Sequence, residues 1–187
     1  MPPKVKITKE EIIKIAVELV RANGEQSINA RAIATALNCS TQPIFSNFTT
    51  MDQLREAVIM AAYDRYLEFL KNEVESGRYP QYKAFGMAYI RFAKEEKELF
   101  KLLFMCDRQE KEFTPTLDFK ASVQMIMNAN GVTEEKAELM HFEMWICVHG
   151  IAAMLATSFL ALEWSLISDM ITDVYQGIRA RHLMEEK

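Results

Sequence analysis

The chain has 187 residues, half of them hydrophobic and about a quarter charged, with a net charge of −4. That is enough for one large domain or a small one joined to a larger one, and it excludes a protein coated all over in basic residues. Six glycines and five prolines among abundant helix formers suit a helical protein and argue against a sandwich or barrel.

The first helix is predicted over 9–23. Thr8-Lys9-Glu10-Glu11 reads as a capping box, Ile12, Ile15, Ala16, Leu19 and Val20 recur at helical spacing, and Asn23-Gly24 supplies the stop. Asn29 can cap a second helix, 30–37, that buries Ile33, Ala34 and Leu37. A tight turn at Asn38-Cys39 leads to a third, 41–48, capped by Ser40, with Pro43 in the first turn where a missing amide proton does little harm. Three short helices with a tight turn between the second and third have the lengths and spacing of a tri-helical helix-turn-helix. Three ordinary packing helices would have the same periodicity.

A second capping box, Thr50-Met51-Asp52-Gln53, opens a long helix to about residue 75. Gly77-Arg78-Tyr79-Pro80 then breaks the chain. Helices are predicted at 81–95 and 97–106, followed by a polar link over 107–116 and a helix at 117–129 ended by Asn130-Gly131. Two more close the chain at 134–162 and 166–184. The expectation is an all-α protein of about nine helices. A helix-turn-helix domain at 1–50 would precede a larger helical ligand-binding and dimerisation domain at 51–187.

Charge is unevenly spread. Residues 1–50 hold six Lys and Arg against four Glu, a net +2, which leaves −6 for the remainder. A mildly basic head can lie against a polyanion while an acidic body keeps the chain soluble. No charged residue occurs from Met144 to Leu162, a length able to span a bilayer. Its flanks are Glu143 and Glu163, with no Lys or Arg cluster, and a central helix buried on two sides has the same composition, so no membrane is expected. Met1-Pro2-Pro3-Lys4 leads into a charged helix, which favours a cytoplasmic location. Cys39, Cys106 and Cys147 have no metal-ligand spacing, and an odd number gives no disulfide framework. His141, His149 and His182 lack the partners of a catalytic or metal site, and no glycine-rich phosphate loop is present. No catalytic residue, metal or cofactor is expected.

Gly24, Ile33-Ala34, the turn at Asn38-Cys39, the run from Ser40 to Phe48, and Asp52-Gln53-Leu54 follow one another in an order that is specific as a set. With them, residues 8–56 resemble the DNA-binding domain of the TetR family of transcriptional regulators. The resemblance implies a ligand-responsive regulator, normally a repressor, that binds a palindromic double-stranded DNA operator as a homodimer. Three positions depart from the family pattern. Asn38 replaces the usual turn glycine, but Asn tolerates left-handed backbone better than other non-glycine residues. Phe45 stands where a Tyr usually reaches phosphate, and Met51 where a Lys is common. The phosphate contacts then fall to Lys6, with Lys4 and Lys9, and to Asn29, Arg31, Thr35, Asn47 and Thr49. By position Thr41, Gln42 and Pro43 face the bases, Gln42 to adenine and the Thr methyl or Pro ring to thymine methyls. Ser40 and Phe45 complete the DNA-facing set, although periodicity also places Phe45 and Phe48 in the core. A helical module with weakened DNA binding is the competing reading.

In the second half, helix 134–162 is apolar on two faces. Phe142, Trp145, Ile146, His149 and Ala153 form one; Val148, Ile151, Leu155, Phe159 and Leu162 form the other. Ile151, Leu155 and Phe159, with the stripe Ile167, Ile171, Val174 and Ile178, are the expected dimer contacts. Trp145 to Gly150 resembles the Trp, His-Gly signature of one TetR regulatory-domain group. A small, largely apolar effector is expected among Phe85, Tyr89, Phe92, Phe104, Met105, Phe119, Met125, Met144, Trp145 and His149, in a chain of twelve methionines whose thioethers reshape cheaply.

Overall fold

A computed structural model describes residues 7–105 and 117–184. Lys4, Lys6, Cys106 and the polar link 107–116 lie outside the described residues. Nine α-helices are present among those described: α1 (Lys9–Asn23), α2 (Ala30–Ala36), α3 (Gln42–Asn47), α4 (Met51–Glu75), α5 (Gln81–Glu95), α6 (Lys97–Phe104), α7 (Leu117–Asn130), α8 (Glu134–Ala156) and α9 (Trp164–Met184). The fold is all-α. Two compact units divide it, one containing residues 7–67 and 96–105, the other 68–95 and 117–184. The single helix α4 contributes residues to both.

The first unit is built from local signals that the chain carries openly. Thr8 caps α1 reciprocally: its hydroxyl accepts from the Glu11 amide at 3.2 Å, while its own amide donates to the Glu11 carboxylate at 2.8 Å. Such a cap contributes about 1 kcal/mol. Ile12, Ala16 and Val20 make the buried stripe of α1. That stripe lies among α2, α3 and α6, whose buried partners include Ile33, Ile44 and Leu99. Gly24 ends α1 at φ 82°, a left-handed value that a side chain would strain, and an added Cβ would stand 3.1 Å from the Glu98 carboxylate of α6.

The second unit centres on α8, which packs against α5, α7 and α9. By length and composition α8 could cross a membrane; here Met140, Met144, Val148 and Ile151 are buried within this unit. Along α5 and α8, Tyr82 meets His141 at 3.0 Å and Tyr89 meets His149 at 2.8 Å. Between these rungs Gly86 lies against Val148, where an added Cβ would sit 3.4 Å from a valine methyl. Partners on both helices advance together, so α5 and α8 run in the same sense. Val123, Ile126, Val132, Ala137 and Met140 form a cluster joined by Tyr82, Phe119 and Ile178. Polar ties hold α9: the Lys83 ammonium donates to the hydroxyls of Ser168 and Thr172, each at 2.7 Å, and Asn130 links Tyr175 to Arg179.

Element ends differ from expectation in instructive places. α8 stops at Ala156, six residues before the expected 162. The Thr157 hydroxyl donates to the Ala153 carbonyl, Ser158 turns left-handed at φ 58°, and the Phe159 amide closes on the Met154 carbonyl at 2.9 Å. This is a helix termination achieved without glycine or proline. α6 ends at Phe104, and α3 spans six residues rather than eight because Phe48 is extended.

Candidate nucleic-acid interface

The turn between α2 and α3 works as its residue types require. Asn38 takes φ 51°, the left-handed conformation that an Asn tolerates, and the Cys39 amide donates to the Ala34 carbonyl at 2.9 Å. The chain therefore reverses within a few residues, with Ile33 and Ala34 of α2 and Ile44 of α3 all buried. Pro43 occupies the first turn of α3, as expected. Ser40 does not cap it; Thr41 holds the cap position, without a side-chain bond. At the start of α4 the box is offset by one residue. Thr50 accepts from the Gln53 amide at 3.2 Å, but the Gln53 side chain accepts from Thr49 rather than from Thr50.

The predicted contact residues divide into those that face outward and those already engaged. Gln42, Arg31, Ser40 and Thr49 are exposed, while Thr41 and Pro43 are half-buried. Phe45 is 52% exposed, which corrects the core expectation for it, whereas Phe48 is buried beneath the Lys9 ammonium. At successive α3 positions only Ile44 points inward. Asn29 accepts from the Ala32 amide at 2.8 Å as the α2 cap and donates to the Gln26 carbonyl. The Thr35 hydroxyl donates to Arg31, and Asn47 donates to Pro43 at 2.8 Å. These three side chains shape the unit.

Sequence reasoning missed an ion cluster in this unit. Glu96, 5% exposed, accepts from Arg21 of α1 at 2.7 and 3.0 Å and from Arg65 of α4 at 3.4 Å. The Glu96 carboxylate holds the Arg21 guanidinium above its ordinary pKa, with Glu18 adding to the effect. Glu96 itself is the non-helical cap before α6, three and four residues ahead of the buried Leu99 and Phe100.

In the second unit the expected effector-lining residues are only partly brought together. Tyr89, Phe92 and Met144 are buried there, and Phe85, Phe119, Met125 and His149 half-buried. Phe104 and Met105 belong to the first unit, where Phe104 meets Tyr66 edge-on at 5.4 Å. Trp145 lies on an outward face of α8, in a stacked series with Phe142 and His149. Burial lowers the His149 pKa and raises that of the Cys147 thiol. Most of the expected dimer contacts are buried or half-buried within their own unit. Ile151, Leu155, Ile167 and Ile171 lie in the core of their own unit, Ile178 packs on the Met140 cluster, and Val174 is half-buried. Phe159 is 77% exposed. Other large apolar side chains exposed in this unit are Leu139, Phe142, Trp145, Ile146 and Met154 of α8, with Leu166 and Met170 of α9. No group of three or more metal-ligating side chains occurs among the described residues.

No family model matches the chain. An uncharacterized HTH-type transcriptional regulator of Mycobacterium tuberculosis is 23% identical over 183 residues, covering 94% of this chain and 84% of that protein. The crystal structure of a TetR-like transcriptional regulator from Rhodococcus sp. RHA1 superposes with a TM-score of 0.59 at 18% identity, covering 98% of both chains. The structural match shows the fold of a TetR-like regulator.

Proposed function

We infer that this chain, which has the fold of a TetR-like transcriptional regulator, is a cytoplasmic DNA-binding regulator rather than an enzyme. In this reading a dimer grips a palindromic operator and a small, largely apolar effector releases it. The observation that carries the DNA reading is α3 itself. It is a short helix buried through Ile44, presenting Gln42 and Phe45 outward, and fixed by a left-handed turn at Asn38. Such a helix is steadied by its predecessor and free to enter a major groove. The mildly basic first fifty residues supply attraction to phosphate, which makes affinity fall with salt.

Two copies are required because one six-residue helix offers too few base contacts for specificity. The outward side chains of α8 and α9 support dimerisation, since Phe142, Ile146, Leu166 and Met170 are large apolar groups left exposed in a single copy. Loss of transcriptional control on effector binding then follows from half-site spacing. The two recognition helices must stand about one DNA turn apart, so displacing one breaks simultaneous contact.

A selection from randomised duplexes, followed by gel shift, tests this function. Enrichment of an inverted repeat, with Gln42→Ala weakening it by about 1–3 kcal/mol, is the expected result. Failure to enrich any sequence would favour a helical ligand-binding or interaction module instead.

A further inference from the structure

Between Arg31 and Asp52 the chain carries no charged residue, and this run contains the whole of the turn and of α3. The polar groups of α3 are also largely spent on its own backbone. The Ser46 hydroxyl donates to the Gln42 carbonyl at 2.9 Å, and the Asn47 amide to the Pro43 carbonyl. One exposed amide, Gln42, therefore remains, together with three apolar groups: the Phe45 ring, the Pro43 ring and the Thr41 methyl. Phe45 lies three residues after Gln42, on the same side of the helix, and is half in water.

Base edges divide sharply against such a surface. Guanine is read in the major groove by Arg or Lys donors, and the cytosine amine by a carboxylate; α3 has neither. A glutamine amide pairs with adenine. The apolar feature of the groove is the thymine C5 methyl. We infer that α3 reads A·T pairs, and that the exposed Phe45 ring makes recognition depend on thymine methyls. This rests on the DNA-binding reading above and adds the base chemistry of the half-site. The half-exposed ring covers a methyl, removing two apolar surfaces from water together.

The test uses the full-length protein and DNA that differs by one methyl. Sites selected from a random library should carry A·T pairs at the positions α3 covers. Replacing a covered thymine by deoxyuracil removes only the C5 methyl and should weaken wild-type binding about fourfold per methyl. Phe45→Ala should bind the thymine site more weakly and distinguish thymine from deoxyuracil by less than twofold; its unchanged melting midpoint would show that the fold persists. A double cycle over protein and DNA isolates the contact. G·C pairs at the covered positions, an unchanged affinity for deoxyuracil, or an equal loss in wild type and Phe45→Ala would each overturn the inference while leaving DNA binding intact. A library that yields no enriched sequence would overturn both.

Discussion

Removing either side of the Arg21–Glu96 pair should destabilise the first unit by unequal amounts, and the inequality follows from burial. The Glu96 side chain is 4% exposed, whereas those of Arg21 and Arg65 are 41% and 46% exposed. In Glu96→Gln the shape is kept and one acceptor oxygen remains, while Arg21 keeps Glu18 and both guanidinium groups stay partly open to water. A charge-assisted hydrogen bond contributes about 1.5–3 kcal/mol, and half-exposed partners recover part of that in solvent. The net loss should be about 1.5–2 kcal/mol. In Arg21→Met the buried carboxylate keeps only Arg65 at 3.4 Å. Stranding a buried charge costs about 3–5 kcal/mol, and the remaining arginine keeps this near the lower end. For a chain of this size 1 kcal/mol moves Tm by about 2–4 °C, so Arg21→Met should melt about 6–12 °C below wild type and Glu96→Gln about 3–8 °C below. Paired thermal and urea melts at pH 7.5 measure both. If Glu96→Gln proves the more damaging variant, the assignment of the cost to carboxylate burial is wrong.

Further outcomes are expected from the same geometry. Asn38→Gly should change stability by less than about 1 kcal/mol, because relief of the left-handed residue offsets added freedom in the unfolded chain, while Asn38→Val should lose about 1–2 kcal/mol in urea melts. Ile146→Asp with Phe142→Asp should convert a dimer to monomer in light scattering; a doubly substituted dimer would place the interface elsewhere. Lys9→Ala, next to the Phe48 ring, should weaken binding to all duplexes alike in gel shifts, through phosphate rather than base contact. His149 has a folded pKa below its ordinary 6.5, so the unfolded chain binds the proton more readily. Stability should hold above about pH 6.5 and decline as pH falls from there through the lowered folded value. His149→Gln should flatten that decline in denaturant titrations.

The first unit was legible because its signals are local. A capping box at Thr8, a glycine stop at Gly24, an Asn cap and an Asn able to turn left-handed each act within four residues, and the structure realises all of them. Phe45 was harder, since a six-residue helix offers too little periodicity to say which of two phenylalanines points inward. α8 illustrates the larger difficulty. Its two apolar faces were evident, but which one the chain itself covers depends on where α5, α7 and α9 pack, and no local pattern encodes that. The face of Ile151 and Leu155 went inward, leaving Phe142 and Ile146 outward. Glu96 was hidden for a similar reason. It sits in the charged run Lys94-Glu95-Glu96-Lys97-Glu98, where a carboxylate normally belongs in solvent. Two arginines distant in sequence make its burial tolerable.

The two tyrosine–histidine rungs between α5 and α8 have a mechanical consequence. Both rungs fall due at nearly the same offset along the chain, with the Gly86–Val148 contact between them. Sliding one helix past the other by a residue would break both bonds at once and drive Val148 off the only α5 position without a side chain. No neighbouring register restores even one rung, since phenol and imidazole do not recur at adjacent turns. The pair therefore behaves as a keyed shaft: α5 and α8 can rotate or translate together, but axial slip between them is blocked. Any disturbance that tugs on one helix is delivered to the other without backlash.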